Sequence, residues 1–284
     1  MNPSVQQINS LDRYLHMLTG NKYNELRKQA QDLYSYLNTL KGFTIINKSL
    51  SPASEHAGRV IVDAVLQVGK DYEKQVKPAV TRILRFKEAA TISGFIALLN
   101  SKPLHCIINF KTAGTKSDLL KMANFFAGLG IDSYEDLYNW LESENHRDDL
   151  LTENSGVSGV VFKIANKTAD YFRVLVRHWD AVAVDSGIRD ILSQAKITLR
   201  YSKKYTYKEL RSILQMSAVF DFKCCPIDLD KSIYEYSRLN KNSNSTQKKS
   251  THSPGRIPFK YCINCGIKIS ASANYCPECG CNQQ

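Results

Sequence analysis

Five of the chain's eight cysteines crowd one end of the sequence: Cys262, Cys265, Cys276, Cys279 and Cys281. Four of them form two Cys-x2-Cys knuckles with ten residues between (266 to 275). Secreted disulfide scaffolds spread their cysteines through a small chain. Clustering in paired knuckles instead favours a metal in a reducing compartment. Four thiolates complete a tetrahedron, which suits structural zinc and leaves no open position for a substrate. So short a segment has almost no apolar core, so metal binding is expected to drive its folding. The spacings do not fit iron–sulfur clusters, and none is expected. Cys281 is a fifth, spare thiol.

The whole tail, YCINCGIKISASANYCPECGCNQQ, resembles a zinc ribbon. That resemblance implies one structural zinc per chain, held by Cys262, Cys265, Cys276 and Cys279. It also implies a contact to DNA or to a protein partner. Ahead of the tail, residues 240–257 are rich in Asn, Ser and Lys and read as a flexible basic linker. From 231 to 284 there are eight Lys or Arg and two Glu, a net of 8 − 2 = +6, and the first 230 residues carry 30 − 25 = +5. The chain as a whole is +11, from 38 Lys plus Arg against 27 Asp plus Glu. Such a surplus fits a polyanionic partner, and a basic tether fits an auxiliary grip on phosphates or a simple solvated spacer.

Residues 1–239 read as mostly helical. Leu26, Ala30, Leu33 and Leu37 recur at helical spacing, as do Leu11, Leu15 and Leu18. Further helices fit GRVIVDAVLQVG, KPAVTRILRF, TISGFIALLN, SDLLKMANFFAGLG, YEDLYNWLES, KTADYFRVLVRH, SGIRDILSQA, YKELRSILQMSAV and DLDKSIYEYSRL. Ser133 and the Thr206-x-x-Glu209 box mark two helix starts. Only ITLRY, 197–201, suggests a strand. A composition of 43% hydrophobic and 23% charged residues excludes a wholly disordered chain and a coiled-coil rod. No apolar run is long enough to span a membrane, and no secretory leader is expected at the N-terminus. There is no Walker A motif, dinucleotide fingerprint or nucleophile elbow.

The stretch VFKIANKTADYFRVLVRHWDAVAVDSGIRDIL, within 151–195, resembles the helix-hairpin-helix DNA glycosylase superfamily, which includes the endonuclease III group. The family's hairpin ends in Gly-x-Lys-Thr-Ala and is followed by a Val-Asp-Ser/Thr element that opens the next helix. Lys167-Thr168-Ala169 matches the first and Val184-Asp185-Ser186 the second, and the separation, 185 − 167 = 18, matches the family's. DYEKQVKPAVTRIL and DLDKSIYEYSR extend the likeness more weakly over 55–239. The resemblance implies a mostly α body of two helical subdomains with the active site between them. The domain plan is then an N-terminal helical extension (1–50), a glycosylase-like domain (51–239), the linker (240–257) and the zinc ribbon (258–284).

The resemblance also implies the chemistry and the ligand. Base excision passes through positive charge on the sugar, and Asp185 is the carboxylate that stabilises it or activates the nucleophile. Lys167 is the amine that attacks C1′ and forms a Schiff base, giving AP-lyase activity. Lys163, Ile164, Ala165, Asn166 and Thr168 form the hairpin expected against double-stranded DNA, whose damaged or mismatched base is flipped into a pocket. The family's two hairpin glycines are replaced here by Lys163 and Ala165. That favours a second reading, a non-catalytic DNA-binding or adaptor protein on the same fold, which the retained Lys167 and Asp185 oppose. Structurally, Asp185 also suits a helix N-cap and Lys167 an exposed helix lysine. His178, Trp179 and Asp180 read as packing or turn residues. Arg177 and Asp180 read as solvated, Asp190 as surface, and Cys106, Cys224 and Cys225 as buried small hydrophobes. A cytoplasmic, nucleoid-associated protein of bacterial or archaeal source, with no membrane partner, is the corresponding expectation.

Overall fold

Alternating polar and apolar residues at helical period dictate the architecture of the body. The computed structural model describes residues 2–46, 56–67, 70–110, 113–143, 146, 150, 166–198, 204–247, 259–261 and 268–270. It divides into two compact units, Met1–Ser237 and Arg238–Gln284.

Helix α1 (Val5–Thr19) starts at a capping box in which the Ser4 hydroxyl accepts from Gln7 N and the Gln7 side chain accepts from Ser4 N. It buries Leu11 and Leu15. Helix α2 (Tyr23–Thr39) buries Leu26, Ala30, Leu33 and Leu37, one stripe of its surface. Each fully buried leucine contributes about 1.5–3 kcal/mol. Next come α3 (Ala57–Leu66), a π-helical turn (Tyr72–Val76), α4 (Lys77–Ile83), α5 (Ile92–Ser101), α6 (Leu104–Ile108), α7 (Ala113–Gly128), α8 (Tyr134–Glu142) and α9 (Asn166–Val176). Then follow α10 (Ser186–Gln194), α11 (Tyr207–Met216), a second π-helical turn (Ser217–Phe222) and α12 (Pro226–Gln247). The body is thus mostly helical. None of the described helices is long and apolar enough to cross a membrane.

The buried side chains form two clusters. The first gathers α3 through α9, with Phe95, Phe126 and Phe172 among its largest members. The second joins α1 and α2 to residues 182–233. The chain begins in the second cluster, builds the first, and returns. The N-terminal helices therefore share a core with the later ones: Leu26 and Leu33 lie in one cluster with Ile213 and Leu229. An ion pair joins the two groups of helices, from Arg211 on α11 to Asp170 on α9.

Three expectations are corrected. ITLRY does not begin as a strand. Ile197 N donates to Leu192 O (3.0 Å) with Lys196 left-handed at φ 59°, so the segment caps the C-terminus of α10. Residues 199–201 lie outside the described residues. The linker reading fails over 240–247, because α12 continues to Gln247, and 248–257 lie outside the described residues. Cys106 is exposed, since it sits on the outer side of the single turn of α6, whereas Cys224 and Cys225 are buried as expected.

In the second unit, β1 (Phe259–Tyr261) pairs antiparallel with β2 (Lys268–Ser270), in register Phe259↔Ser270, Lys260↔Ile269 and Tyr261↔Lys268.

Candidate active site

Residues 177–185 carry the chain from one core cluster to the other, and they set the site. Arg177 takes a left-handed conformation (φ 68°) and ends α9. His178 is buried, stacks on Tyr138, and its Nε2 lies 2.9 Å from Tyr138 O, so it is a packing residue as the sequence suggested. Asp180 is not merely solvated. It accepts from the buried Arg173 at 3.0 Å. Ala181, Val182, Ala183 and Val184 are then buried outside any helix or strand.

A buried segment outside helix and sheet needs other partners for its amides. Side chains supply them here. Ala183 N donates to Asp230 Oδ1 (3.1 Å) and Val184 N to the Tyr207 hydroxyl (3.0 Å). The segment delivers Asp185 to the N-cap of α10, where Oδ1 accepts from Ile188 N at 2.8 Å. The structural role read from the sequence is real, and it orients the carboxylate. Oδ2 has no hydrogen-bond partner among the described residues. Lys167 lies at the second position of α9 and is partly exposed.

Asp230, on the first turns of α12, lies within electrostatic reach of both. Its carboxyl is pushed up to about 8, first by loss of water, then by the negative charge of Asp185. Asp170 adds to the rise, while Lys167 and the Ala183 amide oppose it. Lys167 and Asp185, on different elements, thus bear on one carboxyl. Asp170 itself is buried against Arg211, with Nη1 to Oδ1 at 3.0 Å, and Arg211 Nη2 donates to the Tyr14 hydroxyl at 3.1 Å.

A second buried carboxyl lies under α9. Asp63, in the apolar run of α3, is fully buried. Tyr171, one turn after Lys167, donates to its Oδ1 (3.2 Å), Tyr72 donates to Oδ2 (3.4 Å), and Arg59 is 4.0 Å away. Burial pushes this carboxyl up to about 6, against the pull of Arg59 and the two hydroxyls. A carboxyl titrating there can hold or yield a proton near neutral pH.

Of the hairpin residues, Asn166 is partly exposed at the start of α9, whereas Thr168 is buried and its side chain faces the protein. Lys163, Ile164 and Ala165 lie outside the described residues, as do Cys262, Cys265, Cys276 and Cys279. Among the described residues no group of His, Cys, Asp and Glu is arranged to hold a metal. Cys224 suits no nucleophilic role, since burial pushes its thiol up to about 12.

Sequence reasoning missed Asp63, Asp170 and Asp230. Each carries a signal in retrospect, a carboxylate set on the apolar side of its helix. No protein-family model, curated protein or solved structure matches the chain.

Proposed function

We propose that the body is a DNA glycosylase of the helix-hairpin-helix type with AP-lyase activity, acting on damaged or mismatched bases in double-stranded DNA. The observation that carries this reading is the placement of Asp185 at the N-cap of α10, with Oδ1 held by Ile188 N and Oδ2 without a partner among the described residues, while Lys167 stands partly exposed near the start of α9. The charges of both act on the Asp230 carboxyl, Asp185 raising it and Lys167 lowering it. The positive net charge and the basic tail are in keeping with a DNA ligand.

The chemistry follows from the side chains. The Lys167 amine attacks C1′ of the flipped nucleotide, the C1′–N bond breaks, and the base departs with the electron pair. Proton loss from the attached nitrogen and opening of the sugar ring give the Schiff base. Loss of a C2′ proton then expels the 3′ phosphate. Asp185, held by Ile188 N through Oδ1, offers Oδ2 to the positive charge developing on the sugar.

In the tail, four thiolates at Cys262, Cys265, Cys276 and Cys279 form a donor set suited to one structural zinc. The pairing Tyr261↔Lys268 closes a six-residue connection, 262 to 267, that contains the first knuckle. When bound, the zinc supplies a fold rather than a reaction. This ribbon serves as an additional DNA or protein contact.

The test is borohydride trapping on a duplex oligonucleotide carrying an AP site, with wild type beside Lys167→Ala and Asp185→Asn. A covalent adduct that vanishes in Lys167→Ala is the expected result. No adduct from wild type that binds the duplex removes the lyase activity. A lesion screen then separates base excision by Asp185 from a non-catalytic DNA-binding protein, which the replaced hairpin glycines favour.

A further inference from the structure

Between the π-helical turn Tyr72–Val76, helix α4 and the end of α6 runs an open groove of about 810 Å³. Four cations line it: Lys74, Lys77, Arg82 and Arg85. Its one lining acid, Glu73, is engaged with Lys77 at 2.9 Å, so the lining carries 4 − 1 = +3. Lys74, Arg82 and Arg85 have no carboxylate partner among the described residues. Arg85 and Lys74 are exposed and Arg82 is half-exposed, so all three guanidinium or ammonium groups are open to a ligand.

The apolar part of the lining is of a different character. Ala79 and Ile108 are buried, and Phe110 packs partly exposed against the first core cluster. Asn109, left-handed at φ 61°, ends α6 and turns the chain so that Ile108 and Phe110 both border the groove. Three cations without a carboxylate partner among the described residues, in one groove with an apolar, partly aromatic lining, complement a polymer that alternates anionic links with flat apolar faces. An acidic peptide would match the charge and leave the apolar lining unused. A concave surface of this size does not suit the face of a bilayer.

We propose that this groove is a track for a phosphodiester strand of nucleic acid, with phosphates on Arg82, Arg85 and Lys74 and a base or sugar against Phe110. The track lies on other elements than the Lys167–Asp185 site and does not depend on its chemistry. Arginine suits the role, because its planar fork bonds phosphate oxygens in pairs and tolerates partial burial.

The experiment is fluorescence anisotropy of labelled single-stranded and undamaged duplex oligonucleotides with the full-length protein, repeated across a salt series. Arg82→Glu/Arg85→Glu is compared with Lys28→Glu/Lys41→Glu, an equal change of charge at exposed positions of α2 and its C-terminal end. The groove variant is expected to lose at least about tenfold in affinity and to flatten the log–log salt dependence by about 0.7–0.9 for each lost phosphate contact. The α2 variant is expected to stay within about twofold of wild type. Arg82→Gln/Arg85→Gln, with circular dichroism, guards against an effect of reversed charge on folding and should show the same flattened slope.

Equal losses in both charge-reversal variants would reduce the effect to net charge and overturn the proposal, as would wild-type binding by the groove variants. Polyglutamate displacing the oligonucleotide at equal charge concentration would also overturn it. AP-site trapping at saturating duplex is run on the same proteins. An adduct from wild type with weakened groove binding in the variants supports both readings. Absence of any adduct removes the lyase reading and leaves the groove result standing.

Discussion

Removing the Asp170 carboxylate is expected to cost the body about 3–5 kcal/mol, the usual penalty for stranding one member of a buried ion pair. Asp170 is 2% exposed and Arg211 is 1% exposed, and their charged groups meet at 3.0 Å. With an effective dielectric of about 20, charges at that distance attract by about 5.5 kcal/mol, which their desolvation largely offsets in the intact pair. In Asp170→Leu the desolvation of Arg211 remains and the attraction does not. Tyr14 still accepts from the guanidinium, but a neutral hydroxyl returns only part of the loss. The pair also ties α9 to α11, one from each core cluster, so its loss acts on both. Urea unfolding followed by far-UV circular dichroism measures the change, with the slope checked for constancy. Asp170→Leu/Arg211→Met should recover to within about 2 kcal/mol of wild type, because an apolar pair needs no solvent. A loss below about 1 kcal/mol in Asp170→Leu, or no recovery in the double variant, would refute the reasoning.

Both raised carboxyls make the native state bind more protons than the unfolded chain, so their contributions to stability fall as pH rises. The fall runs from about 4 to about 6 for Asp63 and from about 4 to about 8 for Asp230. Asp230→Asn keeps an acceptor for the Ala183 amide. Relative to wild type it should remove the decline between pH 6 and 8 in urea midpoints, and parallel curves would contradict this. At Gly94 an added Cβ would stand 2.2 Å from Glu88 O, so Gly94→Ala is expected to lose about 1–3 kcal/mol by thermal unfolding. Gly114→Ala, with nothing within 4 Å of the added carbon, should lose nothing. Chelation of the tail is expected to release one zinc per chain by metal analysis, as should Cys265→Ser on purification, with the helical signal of the body unchanged.

What the sequence made legible was local in origin. The stripe Leu26, Ala30, Leu33, Leu37 and the Thr206-x-x-Glu209 box each act within a few turns, so spacing alone fixed α2 and the start of α11. Asp185 was legible as a helix cap, because a cap is a local device. Asp63 was not. Its partners Tyr72 and Tyr171 lie 9 and 108 positions away, and only the packing of α9 on α3 brings them together. The same holds for Asp170, whose counter-charge arrives from 41 positions along the chain. Asp230 meets Ala183 across 47. A carboxylate in an apolar helical run announces that it needs a partner without saying which. VIVDAVL in α3 is that signal in plain form, for a buried aspartate must be paired, hydrogen-bonded or protonated. Asp63 is hydrogen-bonded and lies close to protonation, and Asp170 is paired. Asp230 has the Ala183 amide and the charge of Lys167 to set against the charges of Asp185 and Asp170. Holding such a group charged costs stability, a cost that the Ala183 amide offsets only in part.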